Sequence, residues 1–148
     1  MAKNSIKIPV QRLDDSSDLP KYAYPGDAGF DLKSAEAVVI APGERKTVKC
    51  GFSMAIPEGF AGLVIPRSGL ADRNGISVVN APGLIDSGYR GEISVILLNT
   101  DKNEEFEISA GDRIAQMMIV PFANAELVES DTLDSSERGE NGFGSSGV

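Results

Sequence analysis

The chain has 148 residues, 41% of them hydrophobic, with one cysteine and a formal net charge of −8. That suffices for one domain with its own core, excludes an internal disulfide, and opposes sequence-independent binding to nucleic-acid phosphates. It contains no histidine, so Ser-His and Cys-His pairs, imidazole bases and His zinc sites are excluded. Catalysis must fall to carboxylates, hydroxyls, Lys or Arg, with a hard cation such as Mg²⁺ as the fitting metal. The first 30 residues hold no apolar signal core, and no run approaches the ~18 apolar residues of a membrane helix, so a cytoplasmic protein without membrane contact is expected.

Apolar residues recur with period two rather than 3.6 along most of the chain. Ile6, Ile8 and Val10 alternate first, and Val48, Cys50, Phe52, Met54 and Ile56 share one parity, which reads Cys50 as a small buried residue. Residues 62–65 form a further strand candidate. In 92–98, Ile93, Val95 and Leu97 line one face and Ile96 and Leu98 the other, and 113–120 reads similarly. Strands apolar on both faces belong in the middle of sheets. Sixteen glycines and eight prolines punctuate these runs, with turns at Pro25-Gly26, Pro42-Gly43, Pro57-Glu58-Gly59, Pro82-Gly83 and Gly111-Asp112. Such spacing predicts an all-β sandwich or barrel. The one helix expected is short, residues 68–73, stopped by Asn74-Gly75.

Five stretches carry candidate chemistry. In Gly26-Asp-Ala-Gly-Phe-Asp31, two carboxylates flank a glycine turn; they could hold a hydrated cation or simply make the turn. In Pro66-Arg67-Ser68-Gly69, a cation, a hydroxyl and an amide sit where a strand ends and a helix begins. That suits phosphate oxygens, or an N-cap by Ser68. The stretch 80–91, Asn-Ala-Pro-Gly-Leu-Ile-Asp-Ser-Gly-Tyr-Arg-Gly, lies between strand-like runs and reads as a hairpin or tight loop. Its Asp86, beside Ile85, is either a partly desolvated general base or an ordinary turn residue. Gln116 interrupts the apolar strand 113–120, and a buried amide there must brace a loop or touch a ligand. Residues 129–148 hold five Ser, four Gly and five acidic residues. By composition they form a disordered tail, yet Arg138 and Phe143 sit in it, spaced by glycines that allow backbone amides to wrap an anion.

Together these stretches resemble the five ordered motifs of the trimeric dUTPase family, over about residues 25–147. Gly-Leu-Ile-Asp-Ser-Gly-Tyr-Arg-Gly and Arg-Gly-Glu-Asn-Gly-Phe-Gly-Ser-Ser-Gly are the most specific. The resemblance implies a jelly-roll-like β-barrel over residues 1–128, assembling as a homotrimer, and a flexible arm over 129–148 that closes on a site distant from its own barrel. The implied reaction is cleavage of dUTP to dUMP and diphosphate, which keeps uracil out of DNA and supplies dUMP for dTMP synthesis. It implies that Asp86 activates the attacking water and that Asp31 holds a water bound to Mg²⁺. Arg67, Ser68, Gly69, Gln116, Arg138, Gly144, Ser145 and Ser146 would meet the phosphates. Asn80 and the backbone of Gly83, Leu84 and Ile85 would read uracil, Tyr89 would lie under the deoxyribose and Phe143 would stack on the base. Two rivals are a dCTP deaminase on the same fold and a non-catalytic trimeric barrel that binds a nucleotide or a protein.

Overall fold

The computed structural model describes residues 5–13, 15 and 18–147. Residues 1–4, 14, 16 and 17 of the expected domain, and Val148 of the expected arm, lie outside the described residues.

Eleven strands and one helix follow in the order β1 (Val10–Arg12), β2 (Gly29–Lys33), β3 (Val38–Ile40), β4 (Arg45–Lys49), β5 (Phe52–Met54), β6 (Phe60–Ile65), α1 (Ser68–Asn74), β7 (Ile76–Val78), β8 (Gly83–Ile85), β9 (Ser94–Asn99), β10 (Phe106–Ile108) and β11 (Arg113–Pro121). All pairings are antiparallel. The four-stranded sheet runs β2-β11-β6-β8 and the three-stranded sheet β4-β9-β7, with β1-β5 and β3-β10 as two-stranded sheets. This mostly β architecture with one helix is consistent with a jelly-roll-like fold.

The two doubly apolar runs become central strands: β11 lies between β2 and β6, and β9 between β4 and β7. On β9 the inward set Val95, Leu97 and Asn99 is buried, and Ile96 and Leu98 on the other face are half-buried. Val95 and Leu97 join Leu32, Ile40, Val48, Phe52, Ile76, Ile93, Ile114 and Met117 in one continuous core. Full burial of each large side chain contributes on the order of 1.5–3 kcal/mol. Asn99, a fully buried amide, is satisfied by donating to the carbonyls of Ile40 (3.0 Å) and Glu104 (2.8 Å) and accepting from the Asp101 amide (3.0 Å).

The alternating run 48–56 is not a single strand. It breaks at Gly51, whose φ of 77° turns the chain from β4 into β5, which pairs with β1 instead. The alternation survives the corner, so Val48, Cys50, Phe52, Met54 and Ile56 all remain buried. Burial pushes the Cys50 thiol up to about 12, helped by the nearby Glu92 carboxylate. The helix stops where expected: Gly75 adopts φ 64°, and its amide caps the carbonyls of Ala71 and Leu70.

Candidate active site

Arg67, Asp31 and Gln116 are far apart in sequence but converge on the outer face of the four-stranded sheet. The register places Gln116 opposite Asp31 on one side and Ile65 on the other. Arg67, two residues past Ile65, reaches back across β11. Its Nε lies 3.1 Å from Asp31 Oδ1, and its guanidinium donates to the Arg113 carbonyl at 3.0 Å. Gln116 Nε2 donates to the Pro66 carbonyl at 2.9 Å, fixing the strand end that carries Arg67. Gln116 Oε1 lies over Gly29, 3.4 Å from where a side chain there would begin.

The sequence did not single out Arg113, which sits 3.8 Å from Asp31 Oδ2. The reason is a β-bulge. In a regular strand, residues three apart face opposite ways, so Arg113 and Gln116 would point to opposite faces. The register shifts between Arg113 and Ala115, leaving Arg113 opposite Lys33 and Gln116 opposite Asp31. Both therefore stand with the outward residues of β2, while Ile114 and Ala115 are both buried. Asp31 is thus a strand residue between two guanidiniums rather than a member of the Gly26 turn, where Asp27 instead accepts from the Tyr24 amide. A groove of about 240 Å³ opens beside Asp31, walled by Lys33, Ser34, Ala110 and Gly111.

Ser68 and Gly69 begin the helix beyond Arg67. Arg67, not Ser68, occupies the N-cap position, and no side chain caps the helix there, so the Ser68 hydroxyl is not consumed by capping. The guanidinium of Arg73 folds back over Gly69, 3.0–3.4 Å from the position of a Cβ. This adds a cation that the sequence motifs did not flag.

The stretch 80–91 is not a hairpin. Gly83–Ile85 forms β8 at the edge of the four-stranded sheet, and the chain then crosses to β9 in the other sheet. Gly83 is buried, and the Asn80 amide packs against it, with Nδ2 3.2 Å from a would-be Cβ. Leu84 is exposed and Ile85 half-buried. Asp86 is exposed, so the expected partial desolvation is not met in the single chain: Ile85 turns toward Gly62, and the alternation sends Asp86 outward. The following turn is closed on itself. The Tyr89 amide donates to the Asp86 carbonyl (3.1 Å), Arg90 donates to the carbonyls of Ser87 (2.6 Å) and Tyr89 (3.0 Å), and the Tyr89 phenol donates to the Glu92 carbonyl (2.9 Å).

The Arg67–Asp31 pair and Asp86 lie at opposite ends of one sheet. Arg67 follows the Ile65 end of β6, whereas Ile85, just before Asp86, pairs with Gly62. Four residues along a strand and three strand spacings across the sheet separate them by about 20 Å. Among the described residues, the hydrogen bonds of 123–147 all close within that segment, including Arg138 Nε to the Asn141 carbonyl at 3.0 Å and the Ser145 amide to the Gly142 carbonyl. Phe143 stands fully exposed with φ 47°, and Gly144, Ser145 and Ser146 are exposed beside it.

On an antiparallel β fold, two guanidiniums braced around one carboxylate form a cationic cluster, with the uncapped Ser68 beside it and the Asp86 turn apart from it. Comparison with known proteins identifies the family. The dUTPase family model matches residues 15–147. Deoxyuridine 5'-triphosphate nucleotidohydrolase of Leifsonia xyli is 58% identical over 144 residues, covering 97% of this chain and 92% of the relative. That of Thermobifida fusca is 54% identical over 143 residues, covering 97% and 80%. Among solved structures, the Staphylococcus bacteriophage 80alpha dUTPase with dUpNHpp superposes with a TM-score of 0.90 at 33% identity, covering 97% of this chain and all of the phage chain. A phage phi11 dUTPase variant, described for its structural Mg(II) ion, superposes with a TM-score of 0.82 at 27% identity over 88% of this chain. The chain belongs to the dUTPase family.

Proposed function

We propose that this dUTPase hydrolyses dUTP to dUMP and diphosphate in a site built between subunits, with Asp86 activating the water that attacks the α-phosphorus. The reaction itself is that of the family. The observation that carries the arrangement is the separation of the two halves. A base about 20 Å from the cationic cluster of its own chain cannot serve a phosphate bound there. A second copy that brings its Asp86 turn to the Arg67 end completes the site, and the resemblance to the trimeric dUTPases makes the assembly a homotrimer. A largely apolar groove of about 830 Å³, walled by Ile6, Tyr22, Phe60, Ile119 and Pro121, offers a surface for subunit contact. The described residues of the arm, 129–147, span up to about 60 Å when extended, enough to reach a neighbour's site. The division into a barrel over 1–128 and an arm over 129–148 fits this reading, and so does a cytoplasmic setting. No helix among the described residues is long and apolar enough to cross a membrane.

In this scheme Arg67, the Ser68 hydroxyl, the Gly69 amide and Gln116 hold the phosphates, and Asp31 keeps the Arg67 guanidinium aimed outward. Arg138, Gly144, Ser145 and Ser146 of the arm add donors at the distal phosphates. Charge-assisted bonds of this kind are roughly twice as strong as neutral ones. The Asn80 amide and the backbone of Gly83, Leu84 and Ile85 read the uracil edge. Cytosine inverts that donor–acceptor pattern and would leave buried groups unpaired, a penalty that discriminates by roughly 10⁴-fold. Tyr89 lies under the deoxyribose and Phe143 stacks on the base.

Among the described residues no three acidic, Cys or His side chains cluster to hold a metal, and Asp31 is already flanked by two cations. That donor set fits an ion taking its ligands chiefly from phosphate oxygens and water, as Mg²⁺ does, with Asp31 accepting from a bound water. A Mg²⁺ held there would offset phosphate charge and order the triphosphate. Pyrophosphate release from dUTP, dCTP, dTTP and UTP, with Mg²⁺ and with EDTA, tests the function. Release from dUTP alone, abolished by EDTA, is expected. Ammonia from dCTP, or no product from any of the four, would overturn it.

A further inference from the structure

We infer that Gly91 sets the sugar selectivity of the site by leaving the space in which the Tyr89 ring lies. This rests on the reading that Tyr89 forms the floor under the deoxyribose. The ring folds back over the turn, and its phenol donates to the Glu92 carbonyl at 2.9 Å. A Cβ on Gly91 would stand 2.6 Å from Tyr89 Cζ and 3.0 Å from Cε2, and closer still to the phenol oxygen. Real Cβ atoms do not approach carbon so closely, so ring and side chain cannot occupy that space together.

The backbone does not explain the glycine. Gly91 is not among the positive-φ glycines, so a side chain is allowed there by conformation. The three nearest atoms that such a side chain would meet all belong to the Tyr89 ring. Gly88, three residues earlier in the same turn, also lacks a positive φ, yet a Cβ there would meet nothing within 4 Å. One glycine of the turn is kept clear for Tyr89 and the other stands in open space.

The consequence follows from which atoms can yield. The group crowded by a Gly91 side chain is the far end of a side chain that rotates about its own χ angles, not the backbone of a strand. In Gly91→Ala the fold therefore persists and the ring swings away, breaking its bond to Glu92. A displaced ring no longer fills the volume that a 2′-hydroxyl would need, so rejection of ribonucleotide weakens.

The test compares kcat/KM for dUTP with kcat/KM for UTP in the full-length enzyme, because this ratio does not depend on the fraction of active protein. Gly91→Ala and Tyr89→Ala are each expected to narrow the ratio by about tenfold or more. Gly88→Ala is expected to leave it unchanged. The double variant Gly91→Ala/Tyr89→Ala should be no less selective than Tyr89→Ala, since both changes act through one ring. If Tyr89→Ala narrows the ratio and Gly91→Ala does not, the inference is overturned while the Tyr89 floor stands. If Tyr89→Ala does not narrow it, the Tyr89 reading fails and this inference with it. Equal narrowing by Gly88→Ala and Gly91→Ala would assign the effect to turn stiffness and overturn the role of ring space.

Discussion

The two ends of the four-stranded sheet are held by different means. At the Arg67 end, the functional groups are fixed by contacts between residues far apart in sequence: Arg67 on Asp31 and the Arg113 carbonyl, and Gln116 on the Pro66 carbonyl. At the Asp86 end, the turn holds itself through bonds spanning at most three residues. The first depends on the whole sheet being folded in register. The second is a local device carried on an edge strand, able to present Asp86 to another molecule without disturbing the core.

The largest effect expected from breaking either end comes from the chemistry at the turn. Asp86→Asn should lower kcat by roughly 10²–10⁴-fold, the worth of a positioned general base, while binding of a non-hydrolysable dUTP analogue persists by calorimetry. Unaltered turnover would remove Asp86 from that role. Removal of the arm before Arg138 should come next. Turnover should fall by about 10²-fold, as when a transition-state donor is lost, with the assembly unchanged by light scattering, because among the described residues the arm shares no hydrogen bond with the sheets. Arg67→Gln should raise KM for dUTP by about 10-fold or more, the scale of one charge-assisted bond. It should also lower the melting temperature, since Asp31 loses its nearest cation.

Two smaller predictions concern Cys50 and Asp101. Cys50 should resist iodoacetamide in the folded protein at pH 8 and react only on unfolding. Because its thiol is pushed up to about 12 in the fold from 9.0, the stability linked to it is fully present below pH 9.0 and is lost as pH rises toward 12. Thermal melts across that window should fall with pH more steeply for the parent than for Cys50→Ala. Asp101 is opposite in sign. Bonds from the amides of Asn103 and Glu104 hold its carboxyl below the usual value. Its contribution is therefore present above 3.8 and is lost as pH falls through the lowered value. Asp101→Asn should cost slightly in melting temperature at neutral pH and nothing at strongly acidic pH.

The difference between the two ends also explains what could be read from the sequence. The helix and its stop were legible because Asn74-Gly75 is a local signal. The central strands β9 and β11 were legible because period-two patterning registers burial on both faces. The Asp86 turn was legible as a motif since its residues are contiguous, although its position at a sheet edge and its exposure were not. The Arg67 end was legible only as separate fragments. No local pattern reveals that a bulge at Ile114–Ala115 swings Arg113 and Gln116 to one face, or that Arg67 crosses a strand to reach Asp31. The corner at Gly51 was missed for a related reason: the apolar alternation runs through it unbroken while the hydrogen-bonding partner changes.

The central claim is that one chain's Asp86 turn completes another chain's Arg67 end. Unfolding Asp86→Asn and Arg67→Gln together in equal amounts and refolding them as a mixture tests it most directly. If the two ends meet across subunits, random assembly restores both wild-type groups in about a quarter of the sites, and activity rises far above either variant alone. If both groups served within a single chain, no mixture could place them together, and activity no higher than the mean of the two separate variants would contradict the account.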